Sequence, residues 1–302
     1  MKAHWRNYMK LGINHHLLYP ASFESSQAHR DSFPGLVRQE AFEVVDLFIM
    51  EGGAAEQFIV DELRASGKEA VYNCPLMLGD ELNPHSEEEA VRRHTLAELK
   101  VHLDRARRLK ARKAVVASGI DPGPAHRERQ AAYFVEYLAQ ACRYAGEELE
   151  LLIEPFDRGI GKNLLIGPSE EARRVVEQVR ASGCGNIGIL LDMGHVPLMG
   201  ESFEHAAATL APYIRHIHLG SCVQSDPDDP LYGDMHPPWG YPGGAHDVRE
   251  AADFLQALFT IGYLAEGKRE TVTLEMRPYP GKSEDESIAI FLAKLDQAWT
   301  LL

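Results

Sequence analysis

Cysteine is scarce and scattered. Cys74, Cys142, Cys184 and Cys222 show no C-x-x-C spacing, which argues against a thiolate zinc module and for reduced thiols in a cytosolic protein. Basic residues are outnumbered, 31 Lys and Arg against 45 Asp and Glu, for a formal charge of −14. Such a surface repels phosphate backbones and argues against a nucleic-acid partner. No apolar run approaches the roughly 20 residues that span a bilayer. The first ten residues carry basic groups without the apolar segment of a signal peptide, so a cytoplasmic location is expected. There is no repeat of fixed period and no Gly-rich phosphate cradle, which mildly favours an unphosphorylated substrate.

What the chain does have is eight short strand patterns alternating with eight helical ones. The strands are expected at 9–14, 44–50, 70–74, 114–118, 151–154, 187–191, 214–219 and 272–275. Helical spacing is read at 36–42, 54–65, from a capping box at Ser86 to Leu109, at 127–145, from Ser169 to about Ser182, at 201–211, after a cap at Asp247, and after a cap at Ser283. The apolar strand at 187–191 is greasy on both faces, as in a parallel sheet covered by helices. With no linker or composition shift, these patterns predict one (β/α)8 TIM barrel over residues 1–302.

Chemistry in such a barrel gathers where the strands end. Strands five to eight end at Glu154, Asp192, His218 and Glu275. Residues two apart share a face, so Leu152, Leu190, His216 and Thr273 point inward with these four. A single acid at a solvated mouth carries little weight; two Glu, one Asp and one His on consecutive strands point to a shared divalent metal. Three carboxylates and one imidazole suit Mn²⁺ foremost or Mg²⁺, with Co²⁺, Fe²⁺ and Zn²⁺ also admissible.

His195 either orients substrate, joins Asp234 and His236 around a second metal, or makes ordinary loop hydrogen bonds. Arg277 shares the parity of Glu275 and binds a substrate hydroxyl or carboxylate, or else pairs with a neighbouring acid. Asn14, His15 and His16 end strand one near the same mouth. Trp239, in the Pro/Gly-rich segment 221–246, suits a lid over a sugar pocket or a rigid surface loop. Glu51 and Cys74 are expected in the pocket wall, and His126, His205 and His246 on the surface.

The order Glu154…Asp192-x-x-His195…His218…Glu275 resembles the xylose isomerase-like barrel superfamily, specifically its sugar isomerase/epimerase branch. The similarity spans the whole chain. The resemblance implies that Glu154, Asp192, His218 and Glu275 bind the metal, that Glu154 and Glu275 double as the acid/base pair, and that His195 contacts substrate; His236 is a further candidate substrate contact. It implies a ketose- or inosose-type isomerase or epimerase that moves a proton through a cis-enediolate. Two departures are visible. The ketose epimerases carry an arginine six residues after the metal histidine, where this chain has Gln224. The endonuclease IV-like branch, which acts on abasic DNA, places metal histidines where this chain has Asn73-Cys74 and Ser118-Gly119, although Asp234-Met-His236 resembles its Asp-x-His pair. A metal-dependent phosphodiesterase, a barrel that binds a metabolite without turnover, and a homo-oligomeric state are the other expectations left open.

Overall fold

The structure is a computed structural model that describes residues 4–79 and 81–302. Eight parallel strands close on themselves in chain order: β1 (Met9–Asn14), β2 (Val44–Leu47), β3 (Glu69–Asn73), β4 (Lys113–Val116), β5 (Glu150–Ile153), β6 (Ile187–Asp192), β7 (Ile214–Leu219) and β8 (Glu270–Leu274). The covering helices are α2 (Ser26–Val37), α3 (Ala54–Ser66), α4 (Glu89–Arg108), α5 (Arg127–Ala145), α6 (Ser169–Ala181), α8 (Phe203–Leu210), α9 (Val248–Thr260) and α10 (Glu284–Thr300). Two single-turn helices, α1 (His15–Leu18) and α7 (His195–Leu198), follow β1 and β6 at the mouth. Among the described residues, no helix is long and apolar enough to cross a membrane.

Several boundaries differ from the sequence reading. The first covering helix is α2, not 36–42: Ser25 accepts from the Ala28 N–H, and a stripe of His29, Phe33, Leu36 and Val37 is buried despite Pro34 within the helix. Strand β2 stops at Leu47, and Glu51 is exposed beyond it rather than in the pocket wall. Ser86 does not cap α4; its hydroxyl accepts from the Glu88 N–H within the preceding turn, and the helix starts at Glu89. The caps at Asp247 and Ser283 form, each with the Glu three residues on accepting from the cap's own N–H at 2.9 Å.

The barrel interior is divided. Val44, Val71, Val115, Leu152 and Leu190 form one apolar cluster. Beside it lies a polar one: Asp46, His216, His218 and Thr273 are all fully buried. Asp46 Oδ2 accepts from His216 Nε2 at 3.0 Å and from His218 Nε2 at 2.9 Å, while Oδ1 accepts from Thr273 Oγ1 at 2.7 Å. Gly12 makes room for this contact between β2 and β8, since a Cβ there falls 2.3 Å from Thr273 Oγ1. Strand pairing aligns Asp192 with His218 and His218 with Thr273, so the β6–β8 residues form one row at the mouth.

Removing the shared acceptor strands three buried donors. Asp46→Ala is expected to lower the unfolding free energy by roughly 3–5 kcal/mol. Asp46→Asn, which keeps one acceptor oxygen, costs less. Urea denaturation of the three proteins checks the order.

Candidate metal centre and active site

Each strand delivers its side chain by simple alternation. Glu154 follows β5, Asp192 ends β6, His218 lies one residue before the end of β7, and Glu275 follows β8. One ligand atom from each lies within 4.8 Å of the others. The structure thus brings together the four residues that the sequence singled out.

The atoms facing one another in this cluster lack hydrogen-bond partners. Asp192 Oδ2, His218 Nδ1 and Glu275 Oε2 are buried and unsatisfied. His218 Nδ1 and Glu275 Oε2 are 2.6 Å apart, close enough to hydrogen bond but not aligned to do so. His218 already donates from Nε2 to Asp46, so in its neutral form the Nδ1 lone pair faces Glu275 and, at 3.8 Å, Glu154. Converging lone pairs on three carboxylates and an imidazole, backed by a carboxylate behind the histidine, fit a divalent cation. Asp192 is seated by its other oxygen, which accepts from the Gly194 N–H. Gly220 is the space that admits it, because a Cβ at that position falls 2.5 Å from Asp192 Oδ1.

A second group adjoins the first. His195 Nδ1 donates to Pro155 O at 3.1 Å, which leaves Nε2 facing Asp234 Oδ1 at 3.0 Å. His236 Nε2 reaches the same oxygen at 2.9 Å. Asp192, His195 and His236 also bring one ligand atom each within 4.8 Å of one another. His236 sits at φ 51°, a left-handed conformation unusual for a non-glycine residue and found most often where a site over-determines the backbone. Thus His195, Asp234 and His236 meet, with Asp234 between the two imidazoles.

Burial sets the protonation of the cluster. It pushes Glu154 up to about 8 and Asp192 up to about 7, with Glu275 adding to both. For His218 and His236 burial works against charge, yet the neighbouring carboxylates outweigh it, lifting His236 to about 9. Glu275 is held well below the usual carboxylate range: burial opposes this, but His218 and His236 overcome it. Protons on the imidazoles thus balance part of the carboxylates' negative charge.

A cavity of about 240 Å³ opens above the cluster. Its polar wall is Asn14, Lys162, Arg277 and the site carboxylates; its apolar wall is Leu17, Phe23, Phe48, Phe156 and Met235. Asn14 donates to Glu275 Oε1 at 2.7 Å. Arg277 is fixed by donation from Nε to Met235 O at 2.8 Å, and among the described residues no acid pairs with it. His16 and Cys74 reach the wall, whereas His15 does not. Trp239 is not part of the wall either: it is fully buried, its indole N–H donating to Gly220 O at 3.2 Å. His126 and His205 are exposed as expected, but His246 is buried and bonds the same Gly220 carbonyl.

Two residues escaped the sequence reading. Asp46 looked like one polar residue in an apolar strand, and its shared parity with the inward Val44 was the available signal. Lys162 is placed by the loop after β5, where Asp157 accepts four successive backbone N–H groups from Gly159 to Lys162 at 2.7–2.8 Å. Its ammonium lies 3.4 Å from Asp234 Oδ2.

The fold and site together define a closed (β/α)8 barrel with a carboxylate-rich mouth whose donor set fits a metal. The chain belongs to the xylose isomerase-like TIM barrel family, whose model matches residues 36–294. Its fold is similar to that of a D-tagatose 3-epimerase-like protein, with TM-score 0.72 and 18% identity over 96% of this chain and 98% of the other. It is also similar to D-allulose 3-epimerase from Methylomonas sp., with TM-score 0.73 and 16% identity over 97% and 98%. An AP endonuclease, family 2, from Brucella melitensis matches with TM-score 0.64 and 20% identity over 94% and 98%. Comparison with the curated proteins finds no match.

Two outcomes are expected. Protons compete with metal at Glu154, Asp192 and His218, so affinity for Mn²⁺ rises with pH from about 6 upward, with proton release on binding; calorimetry in buffers of different ionisation enthalpy measures both. Gly220→Ala pushes Asp192 from its seat and weakens Mn²⁺ binding about 10–100-fold, while the overpacking lowers the unfolding free energy of the protein without added metal by only about 1–3 kcal/mol, leaving it folded for the measurement.

Proposed function

We propose that this chain is a divalent-metal-dependent sugar isomerase or epimerase acting on a ketose- or inosose-type substrate. The observation that carries the reading is the convergence of Glu154 and Glu275, which line a small cavity, with Asp192 and His218 buried behind them. Glu154, Asp192, His218 and Glu275 would hold the metal, with Mn²⁺ the best match to the donor set. When bound, the metal supplies Lewis acidity toward a carbonyl and its neighbouring hydroxyl.

The residues do the rest. Glu154 and Glu275 arrive from β5 and β8, with β6 and β7 between them, so the two carboxylates flank the floor from different directions. One removes the carbon-bound proton beside the carbonyl and the other returns one to the resulting cis-enediolate, each step contributing about 10²–10⁴-fold. Return to the opposite face of the same carbon inverts a stereocentre; return to the neighbouring carbon exchanges aldose for ketose. Asn14 holds Glu275 by one oxygen, leaving the other for this work. Lys162, Arg277, His195 and His236 offer donors to substrate hydroxyls, and Phe23 and Phe48 offer an apolar wall to carbon-bound hydrogens. The family's structural relatives bear names of 3-epimerases, which supports the same reading.

The group formed by Asp192, His195, Asp234 and His236 favours a second reading, a two-metal phosphodiesterase, and the likeness to an AP endonuclease supports it. Against it stand the net charge of −14 and a cavity below the roughly 300–1,000 Å³ of typical ligand sites.

Exchange of carbon-bound hydrogen separates the readings. With Mn²⁺ in D₂O, the protein is expected to introduce deuterium into one of a panel of ketoses and inososes. Glu154→Gln and Glu275→Gln should each reduce that exchange by at least about 10²-fold. Nicking of an abasic duplex with two metals bound per chain, and no exchange with any sugar, would sink the isomerase reading.

A further inference from the structure

Three buried histidines stand apart from the carboxylate centre, and the mechanism above uses none of them as a ligand. His15 and His16 form the first turn of α1, and His29 comes from α2. Each brings one ring nitrogen within 4.8 Å of the others', and their exposures are 0%, 2% and 3%. The His15 and His29 rings stack at 4.7 Å, with His16 edge-on to His29 at the same separation.

Hydrogen accounting shows where their lone pairs lie. Ser32 donates its one proton to Ala28 O at 2.7 Å, so toward His15 Nε2 at 2.9 Å it can only accept. His15 therefore carries its proton on Nε2, and Nδ1 is a bare acceptor, buried without a partner. His29 Nε2 is likewise buried without a partner. His16 Nε2 faces the Phe48 carbonyl at 3.0 Å and must donate to it, which leaves Nδ1 accepting from Ser22 at 2.8 Å. Ser22 has a second acceptor, Tyr19 O at 2.6 Å, to which its proton can turn. Each ring can thus present a free lone pair. Burial holds all three well below 6.5, His16 at about 4 and His29 at about 3, so they are neutral and ready to ligate at neutral pH.

We propose that His15, His16 and His29 form a second metal site, an imidazole-only pocket for a borderline d-block cation such as Zn²⁺. The donor set argues for the ion: imidazole suits Zn²⁺, Ni²⁺ and copper, whereas Mn²⁺ and Mg²⁺ prefer oxygen. Among the described residues, no carboxylate ion-pairs or hydrogen-bonds with these rings. Zinc–nitrogen bonds of about 2.0–2.1 Å place tetrahedral ligands about 3.4 Å apart, and the three rings, already within 4.8 Å by one nitrogen each, turn and close to that spacing on binding. An entry route exists, because His16 lines the cavity above the carboxylate centre together with Phe23 and Phe48. The site is independent of which reaction the carboxylates perform.

The test uses the untagged full chain carrying Glu154→Gln, Glu275→Gln and His236→Gln, which removes ligands from both the carboxylate centre and the adjoining Asp192–His195–His236 group. Zinc titration by calorimetry is expected to show about one ion per chain, and X-ray absorption at the zinc edge an imidazole-nitrogen shell. His29→Phe, which keeps a ring stacked on His15, is expected to weaken zinc binding at least about tenfold. Circular dichroism establishes that this variant is folded; His15→Gln, which can still donate to Ser32, provides the same comparison if it is not. Zinc bound with unchanged affinity in a folded variant, zinc held through carboxylate oxygen, or no zinc bound at all overturns the proposal.

Discussion

The mouth of this barrel depends on one carboxylate that never reaches it. Asp46 accepts from the Nε2 atoms of His216 and His218 together, deep inside the closed sheet. A neutral imidazole has one proton, so fixing it on Nε2 aims the Nδ1 lone pair of His218 at Glu275 and Glu154. The direction is reinforced from the far end. Lys113 can only donate, and it gives to Thr271 Oγ1 at 2.7 Å; Thr271 is then free to donate to His216 Nδ1 at 2.6 Å. Donors therefore run in one sense from Lys113 to Asp46. Burial opposes the charge on Asp46, but the two histidines outweigh it and keep the carboxylate ionised. Thr273 and the bare backbone of Gly12 complete the seat.

Above that seat, the barrel crowds Glu154, Asp192, Asp234 and Glu275 against three imidazoles in almost full burial. Such a cluster is costly unless positive charge is shared among its members. The metal-free arrangement meets the need with protons, and the unsatisfied oxygens and nitrogens mark where a cation relieves it better. Asp234 has a further partner in Lys162, whose position depends on the four N–H groups collected by Asp157. The loops after β5 and β7 are therefore joined through the site, and neither is free to rearrange alone.

Much of this was legible in the sequence because alternation is strict in a buried strand. Fixing Asp192 inward fixes Leu190, and the same parity correctly placed Leu152, His216, His218 and Thr273. What lay beyond reach were contacts across the barrel and within loops. Asp46 meets β7 from β2, a pairing between residues 170 and 172 positions apart in sequence that no local pattern encodes. Trp239 looked like a lid because Pro and Gly surround it, yet its large ring is driven inward and its N–H finds the Gly220 carbonyl. His246 follows it inward onto the same carbonyl. The helix through Pro34 was missed because a proline usually ends a helix, whereas here burial of Phe33, Leu36 and Val37 outweighs one missing hydrogen bond.

The cavity itself narrows the chemistry that fits the proposed reaction. Its volume of about 240 Å³ suits one small molecule with its reactive carbons on the carboxylate floor. Phe23, Phe48 and Leu17 face it with carbon, and Asn14, Lys162 and Arg277 with donors, a division that matches a polyol having one face of C–H bonds and a rim of hydroxyls. Arg277 enters the wall off the end of β8. A guanidinium anchored at Nε by the Met235 carbonyl is pre-set for bidentate hydroxyl or carboxylate recognition. On the proposed reading, the donors of the wall and the two glutamates sit on different elements of one rigid cylinder, so a change in one need not move the other.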